Sequence, residues 1–267
     1  MSNIVISGGT DGIGRALALH RLRAGDRVVV IGRSAQKGAE LAREADAGDR
    51  FHFIAADLAL VAENQRVVAE VTERLGHVDA LVLCAAYLRM DRVVTAEGFE
   101  HSFALAYLSR FVLSTGLAPL MRDSAAPVIV NLAVIGAGAK AMNWDDMQFT
   151  AKHRGGEVWA QTRRANELLG VGFAAQHGLG KIKYVLFNPV YVRTSFAGEF
   201  PAPVRFFITL FGKLFAKPVE KGVLPIVDII ERPPAEEFSV YKAAKKLDHA
   251  PTDGDREDAE RLFRETK

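Results

Sequence analysis

Apolar residues along this chain fall into two alternating kinds of segment. Short β-branched runs at residues 4–7, 27–31, 52–55, 80–84, 128–132 and 183–187 are apolar throughout, as strands buried on both faces are. Between them, residues 13–24, 35–45, 62–75, 99–121 and 158–177 carry apolar positions at helical spacing. Strand and helix taking turns predicts an α/β fold, a doubly wound parallel sheet of about seven strands with helices on both faces. No repeat and no Gly/Ser-rich linker interrupts the alternation, so residues 1–267 are expected to form one domain. Two stretches depart from the pattern. Residues 196–218 contain Phe206, Phe207, Leu210, Phe211, Leu214 and Phe215 at helical spacing, and residues 253–267 are highly charged and read as a solvated tail helix.

Composition narrows the partners. The chain is 49% hydrophobic and carries a net charge of +2 with no basic stripe, so no nucleic acid is expected. Cys84 is the only cysteine, which excludes an internal disulfide and reads as a small buried hydrophobe. Residues 3–6 read at once as a strand rather than a signal peptide, and no run of eighteen apolar residues predicts a transmembrane segment. A cytoplasmic location is the expectation.

The first strand runs into Ser7-Gly8-Gly9-Thr10-Asp11-Gly12-Ile13-Gly14, which opens the first helix. Glycines there let the backbone approach a phosphate without an intervening Cβ, and the helix N-terminus behind them offers free N–H groups and a positive dipole end. A glycine turn alone is weak. Placed after the first strand of an alternating chain, it predicts a nucleotide site.

The same segment resembles the T-G-x-x-x-G-I-G opening of the short-chain dehydrogenases/reductases, with Ser7 in place of threonine. The likeness covers about residues 3–195 and implies the Rossmann form of the sheet and a nicotinamide cofactor. Asp57-Leu58 is similar to the family's adenine contact, with a helix cap as the competing role of the aspartate. Cys84-Ala85-Ala86 stands at the family's N-N-A-G, where small residues let the backbone pass the adenosine ribose. At the end of strand two, a carboxylate would bond the ribose hydroxyls of NAD and repel a 2′-phosphate. This chain has Gly32-Arg33 there, and a guanidinium pairs a phosphate bidentately, so NADP(H) is expected over NAD(H). Arg15 either adds charge at this end or is a solvated residue of the first turn.

Reductases of the family use a tyrosine as general acid, a lysine four residues on, a serine and an asparagine. Residues 128–132 resemble the family's I-V-N-V strand, but Ala133 and Val134 follow where serines are usual. Trp159-Ala160-Gln161-Thr162-Arg163-Arg164-Ala165-Asn166 resembles the Y-x-x-S-K-x-A-N of retinol-dehydrogenase-like members, a register that residues 144–148 support. The tyrosine position is thus Trp159 and the lysine position Arg163, while Ala106 falls at the asparagine. The resemblance then implies a degenerate tetrad of Ala106, Val134, Trp159 and Arg163. Indole N–H is no acid near neutral pH, and arginine stays protonated, so ordinary carbonyl reduction is expected to be lost or very slow.

Arg163 is left either to bind the nicotinamide ribose or to pair with an acidic neighbour. Trp159 either stacks on a substrate or fills the tyrosine's space. Pro189-Val190 replaces the family's P-G, and Thr194 stands where a carboxamide contact is usual. Tyr107 and Tyr191 are the weak candidates for a relocated acid. Asn143, Lys152 and His153 precede the Trp159 helix and have no assigned role.

For residues 200–215 three readings compete: an apolar lid over a hydrophobic substrate, a core or dimer-packing helix, and an interfacial membrane contact helped by Lys213 and Lys217. Family resemblance also allows a homodimer through the fourth and fifth helices. Three functions stay open. One is a noncanonical enzyme on a hydrophobic small molecule, either reducing without a tyrosine acid or catalysing a non-redox cyclisation, elimination or rearrangement. A second is an inactive pseudoenzyme that senses NADP(H). A third is an ordinary NADPH-dependent carbonyl reductase with a relocated acid.

Overall fold

The computed structural model describes residues 1–176, 181–189 and 219–266. Its strands are β1 Asn3–Ser7, β2 Arg27–Gly32, β3 Phe51–Ala55, β4 Ala80–Leu83, β5 Val128–Leu132, β6 Lys183–Asn188, β7 Phe238–Lys242 and β8 Lys245–Leu247. Its helices are α1 Gly12–Arg23, α2 Ala35–Ala45, α3 Val61–Arg74, α4 His101–Met121, α5 Gly155–Ala175, α6 Leu224–Glu231 and α7 Asp253–Thr266. One sheet runs in the order β3-β2-β1-β4-β5-β6-β7-β8. The first seven strands pair in parallel, and β8 adds an antiparallel edge to β7.

Every residue of β1 and β4 is buried, because helices cover the sheet on both sides. One apolar layer joins the sheet to α3, α4, α5 and α7, and a second joins it to α1 and α6, with Leu41 of α2. From β1 the chain winds outward to β3 and then crosses back to lay β4 beside β1. Ser7 aligns with Ile31 on one side and Leu83 on the other, so the strand ends open into one crevice at this switch point.

Three sequence expectations change among the described residues. The sheet has eight strands, since Lys245–Leu247 is too short and polar to read as a strand but closes a hairpin through Ala243 in the left-handed region (φ 51). Helix α4 begins at His101 and contains a π-helical turn at Ala104–Leu108 rather than running evenly from residue 99. Among the described residues α4 alone has the length and apolarity of a membrane span, but 61% of that window is buried, as in a core helix. Lastly, the charged tail is not a helix standing in solvent.

Helix α7 instead docks along α5 and buries Ala259, Leu262 and Phe263. Arg164 of α5 reaches Asp255 at 2.6 Å and Asp258 at 3.2 Å. Phe263 meets Phe111 of α4 edge-on at 5.1 Å, and the Arg261 guanidinium lies 4.4 Å from the Trp144 ring centroid. These contacts occupy part of the α4–α5 flank, the surface on which the family resemblance allows a homodimer.

Candidate functional site

The turn after β1 is tight enough to require its glycines. Gly8 adopts φ +67, and a Cβ there would lie 2.7 Å from the Ala85 nitrogen at the end of β4. A Cβ on Gly14 would lie 2.5 Å from the Gly8 carbonyl oxygen, so α1 starts directly against the loop. Gly12 is left-handed as well (φ 50). Ser7 is buried, and its Oγ accepts from Ala85 N–H at 3.4 Å, while Ile13 anchors the first turn in the core. The result is bare backbone beside a helix N-terminus, a shape that fits a pyrophosphate.

One charge complicates that cradle. Asp11 caps α1 by accepting from Gly12 N–H at 2.7 Å, which sets a carboxylate at the same end. Lys37 reaches its other oxygen at 2.6 Å and offsets the charge. Arg15, by contrast, turns away to an ion pair with Glu44.

At the end of β2, Arg33 is exposed and its Cζ lies 5.9 Å from the Tyr87 ring centroid. Asp57 is exposed too, and one of its oxygens accepts from Ala59 N–H at 3.1 Å. That bond closes a turn ahead of α3, whose N-cap is Leu60, so the aspartate does not cap the helix. Leu58 is core, and its carbonyl is held by the Asn64 side chain at 2.9 Å.

The four positions at which the sequence resemblance places the tetrad lie in the loop after β5, on α4 and on α5. Arg163 and Trp159 sit one helical turn apart, with the guanidinium 5.4 Å from the indole centroid. Arg163 donates to the Val134 carbonyl at 3.3 Å and the Ile135 carbonyl at 2.5 Å, which joins the helix to the loop after β5. Val134 and Trp159 are both large apolar residues left exposed, at 38% and 43%. Among the described residues Arg163 makes no ion pair, so the pairing role expected for it is not realised.

Ala106 lies in the π-helical turn of α4, and its carbonyl accepts from Asn166 Nδ2 at 2.8 Å. Asn166 Oδ1 in turn accepts from Asn131 at 2.9 Å and from Arg110 at 3.1 Å. Arg110 also donates to Asn131 Oδ1 at 2.6 Å and to the Ala85 carbonyl at 3.1 Å. Burial lowers its pKa to about 10. This one side chain fastens β4, β5 and α5 to α4 beneath the crevice, and nothing in the sequence reading anticipated it. A signal existed: Arg110 is the single Lys or Arg between residues 93 and 121.

Tyr107 is corrected. Its side chain is fully buried, and its hydroxyl bonds Thr266 Oγ1 at 2.8 Å on the α7 side. Burial raises its pKa, and the Asn166-linked face of α4 lies elsewhere, so it is no acid for the crevice. His153 turns toward the start of α4, with Nε2 3.8 Å from Glu100 Oε1. Asn143 N–H bonds Gln161, and Lys152 is exposed. Burial pushes the Cys84 thiol up to about 12, which removes it as a nucleophile. Pro189 follows β6 and is half-buried. Tyr191, Thr194 and the phenylalanine-rich residues 196–218 lie outside the described residues.

Comparison with known proteins agrees with this frame. Residues 2–153 match the family model described as short chain dehydrogenase. Human polyprenol dehydrogenase is 27% identical over 168 residues, 60% of this chain and 51% of its own length. Human retinol dehydrogenase 13 is 26% identical over 166 residues, 61% of this chain and 50% of its own. The chain thus matches about half the length of these curated relatives. A short chain dehydrogenase from Shigella flexneri, solved with NADP, superposes with TM-score 0.68 at 18% identity, covering 91% of this chain and 97% of the other. The chain belongs to the short-chain dehydrogenase family, and within it is like the retinol dehydrogenases.

Proposed function

We propose that this chain binds NADP(H) across the β1/β4 crevice and acts on a hydrophobic small molecule by chemistry that needs no tyrosine acid. The assembled cluster of Trp159, Arg163 and Val134 carries this reading. These side chains meet as the family's acid, base and carbonyl-orienting groups would, yet none can give up a proton near pH 7.

The backbone of Gly8, Gly12, Ile13 and Gly14 would hold the pyrophosphate, Asp57 the adenine, and Arg33 the 2′-phosphate. Arg163 has Nε and Nη2 engaged on carbonyls, leaving Nη1 to turn toward the nicotinamide ribose. When bound, the cofactor supplies or accepts a hydride. What this chain adds is a fixed cation, an exposed indole face and the exposed Val134 side chain. The exposed indole face could meet a substrate already cationic, such as an iminium, which needs no proton after reduction. It also suits a non-redox cyclisation, elimination or rearrangement helped by orientation alone. The lipophilic substrates in the names of the relatives, polyprenol and retinol, support an apolar ligand, as do the phenylalanines of residues 200–215.

A second reading has its own support. Arg163 spends two of its donor groups bracing the β5 loop, as a purely structural residue does, and a cofactor-sensing protein without turnover needs no more. The two are separated by titrating NADPH into the full chain and following its oxidation with matched ketones, aldehydes and cyclic iminium ions. Binding with turnover on iminium ions alone supports the enzyme. Rapid reduction of simple ketones would overturn both readings.

A further inference from the structure

One face of α5 grips the loop after β5 at two successive peptide groups. Arg163 donates to the carbonyls of Val134 and Ile135, and Glu167, one helical turn on, accepts from Gly136 N–H at 2.6 Å. The Ile135–Gly136 peptide is thus held at both of its polar ends. Glu167 is buried, and its second oxygen faces Arg164 at 3.6 Å. Arg164 is buried too and runs on to α7, where it meets Asp255 Oδ1 at 2.6 Å and Asp258 Oδ2 at 3.2 Å. Asp255 accepts with its other oxygen from the N–H and hydroxyl of Thr252, at 2.8 and 2.7 Å, which fixes it at the start of α7. A line of alternating charge therefore leads from α7 to the amide two residues beyond Val134.

We infer that Glu167 is a positioning residue of the site, setting the loop that presents Val134 and anchors Arg163, and that α7 holds Glu167 in place through Arg164. The inference deepens the reading of Trp159 and Arg163 as the ligand-facing pair, but its test needs no ligand, so the two fail separately. A buried carboxylate has to be compensated by partners within reach. Glu167 has the Gly136 amide on one oxygen and the Arg164 guanidinium beside the other, and only one placement of the side chain serves both. Neutralising Asp255 and Asp258 leaves Arg164 to draw Glu167 toward itself and off the amide. The Val134 and Ile135 carbonyls then shift against α5, and Arg163 loses the anchors that hold its guanidinium 5.4 Å from the Trp159 indole centroid. The acidic side of α7 reaches the site through two side chains, in addition to covering the core.

The test is amide hydrogen exchange at Gly136 in the full chain, with acrylamide quenching of Trp159 as a second readout. Trp144→Phe keeps a ring beneath Arg261 and leaves Trp159 as the one tryptophan of the two in the chain. Glu167→Met fills the same space without an acceptor, so Gly136 exchange should rise at least about tenfold and Trp159 should become easier to quench. Glu167→Gln keeps an acceptor and should recover most of the Gly136 protection, which a role in packing alone would not require. Asp255→Asn combined with Asp258→Asn should speed Gly136 exchange about threefold to tenfold, and add less than about twofold in the Glu167→Met background. Exchange of the β4 amides reports global opening, against which each change at Gly136 is read. Gly136 exchange that Glu167→Met leaves unchanged overturns the inference. A paired-asparagine effect that persists in full beside Glu167→Met, or that is matched by an equal rise in β4, overturns it as well, because α7 then acts by packing. If Glu167→Met does not fold, the aspartate pair decides, and unchanged Gly136 exchange in that variant sinks the idea.

Discussion

Restoring the absent groups should restore the absent reaction. The variant combines Trp159→Tyr, Arg163→Lys, Val134→Ser and Ala106→Asn. Trp159 and Val134 are substantially exposed, so their replacement opens no core cavity. Arg163 gives up two hydrogen bonds to the β5 loop, about 1 kcal/mol each. Asparagine at Ala106 lowers helix propensity by roughly 0.7 kcal/mol, while the carbonyl there stays tied to Asn166. A loss near 3 kcal/mol leaves a domain of ordinary stability folded. Against that, a positioned general acid is worth about a hundredfold to ten-thousandfold in rate, roughly 3–5 kcal/mol of barrier. Single-turnover oxidation of bound NADPH by a small apolar ketone reads this directly. Wild type should remain at background, and the quadruple variant should exceed it at least a hundredfold, with the rate falling as pH rises through the new tyrosine's pKa. A wild-type rate that the variant fails to exceed refutes the reasoning. So does a folded variant that binds NADPH with unchanged affinity and still gains nothing, because the frame around the tetrad would then have lost its geometry.

Three further outcomes follow from the same contacts. Arg110→Met leaves Asn131 Oδ1, Asn166 Oδ1 and the Ala85 carbonyl short of a buried donor, so urea unfolding should show a loss of at least ~2 kcal/mol. Asp11→Asn keeps an acceptor for Gly12 N–H but removes the carboxylate from the phosphate end, and NADPH should bind about threefold to tenfold tighter by fluorescence titration. Burial pushes the Asp255 carboxyl up, but bonds from Thr252 and Arg164 outweigh it and hold its pKa below the usual range. A depressed carboxylate stabilises above its unfolded pKa and loses that contribution as pH falls through the folded value. Stability measured downward from pH 5 should therefore drop more steeply in wild type than in Asp255→Asn.

Much of the frame could be read from residue order. Continuous apolar runs separated by helical periods can bury both strand faces only in a covered parallel sheet, and all six strand expectations lie in the parallel part. The glycine turn was legible because close backbone approach leaves no alternative residue at Gly8 and Gly14. What stayed hidden depends on direction rather than composition. Tyr107 adjoins Ala106 in sequence, yet its hydroxyl ends on α7. The tail reads as charge, but Ala259, Leu262 and Phe263 share one face, and that face is enough to dock it. Tyr87 and Arg89 belong to no motif, yet the turn after β4 sets the Tyr87 ring against both Arg89 and Arg33.

Arg110 lets the crevice keep its shape whatever side chains stand at the tetrad positions. In a site braced by its catalytic side chains, removing them loosens the pocket, and cofactor affinity decays along with the reaction. Here the bracing runs through Arg110, Asn131 and Asn166, which hold Ala106 and Ala85 by their backbone carbonyls and use no side chain at the four tetrad positions. Tyr184 completes that network by accepting from Asn131 at 2.9 Å, deep beneath the sheet end. A chain built this way can change the side chains at Trp159 and Val134, both exposed, while the backbone of its crevice stays braced.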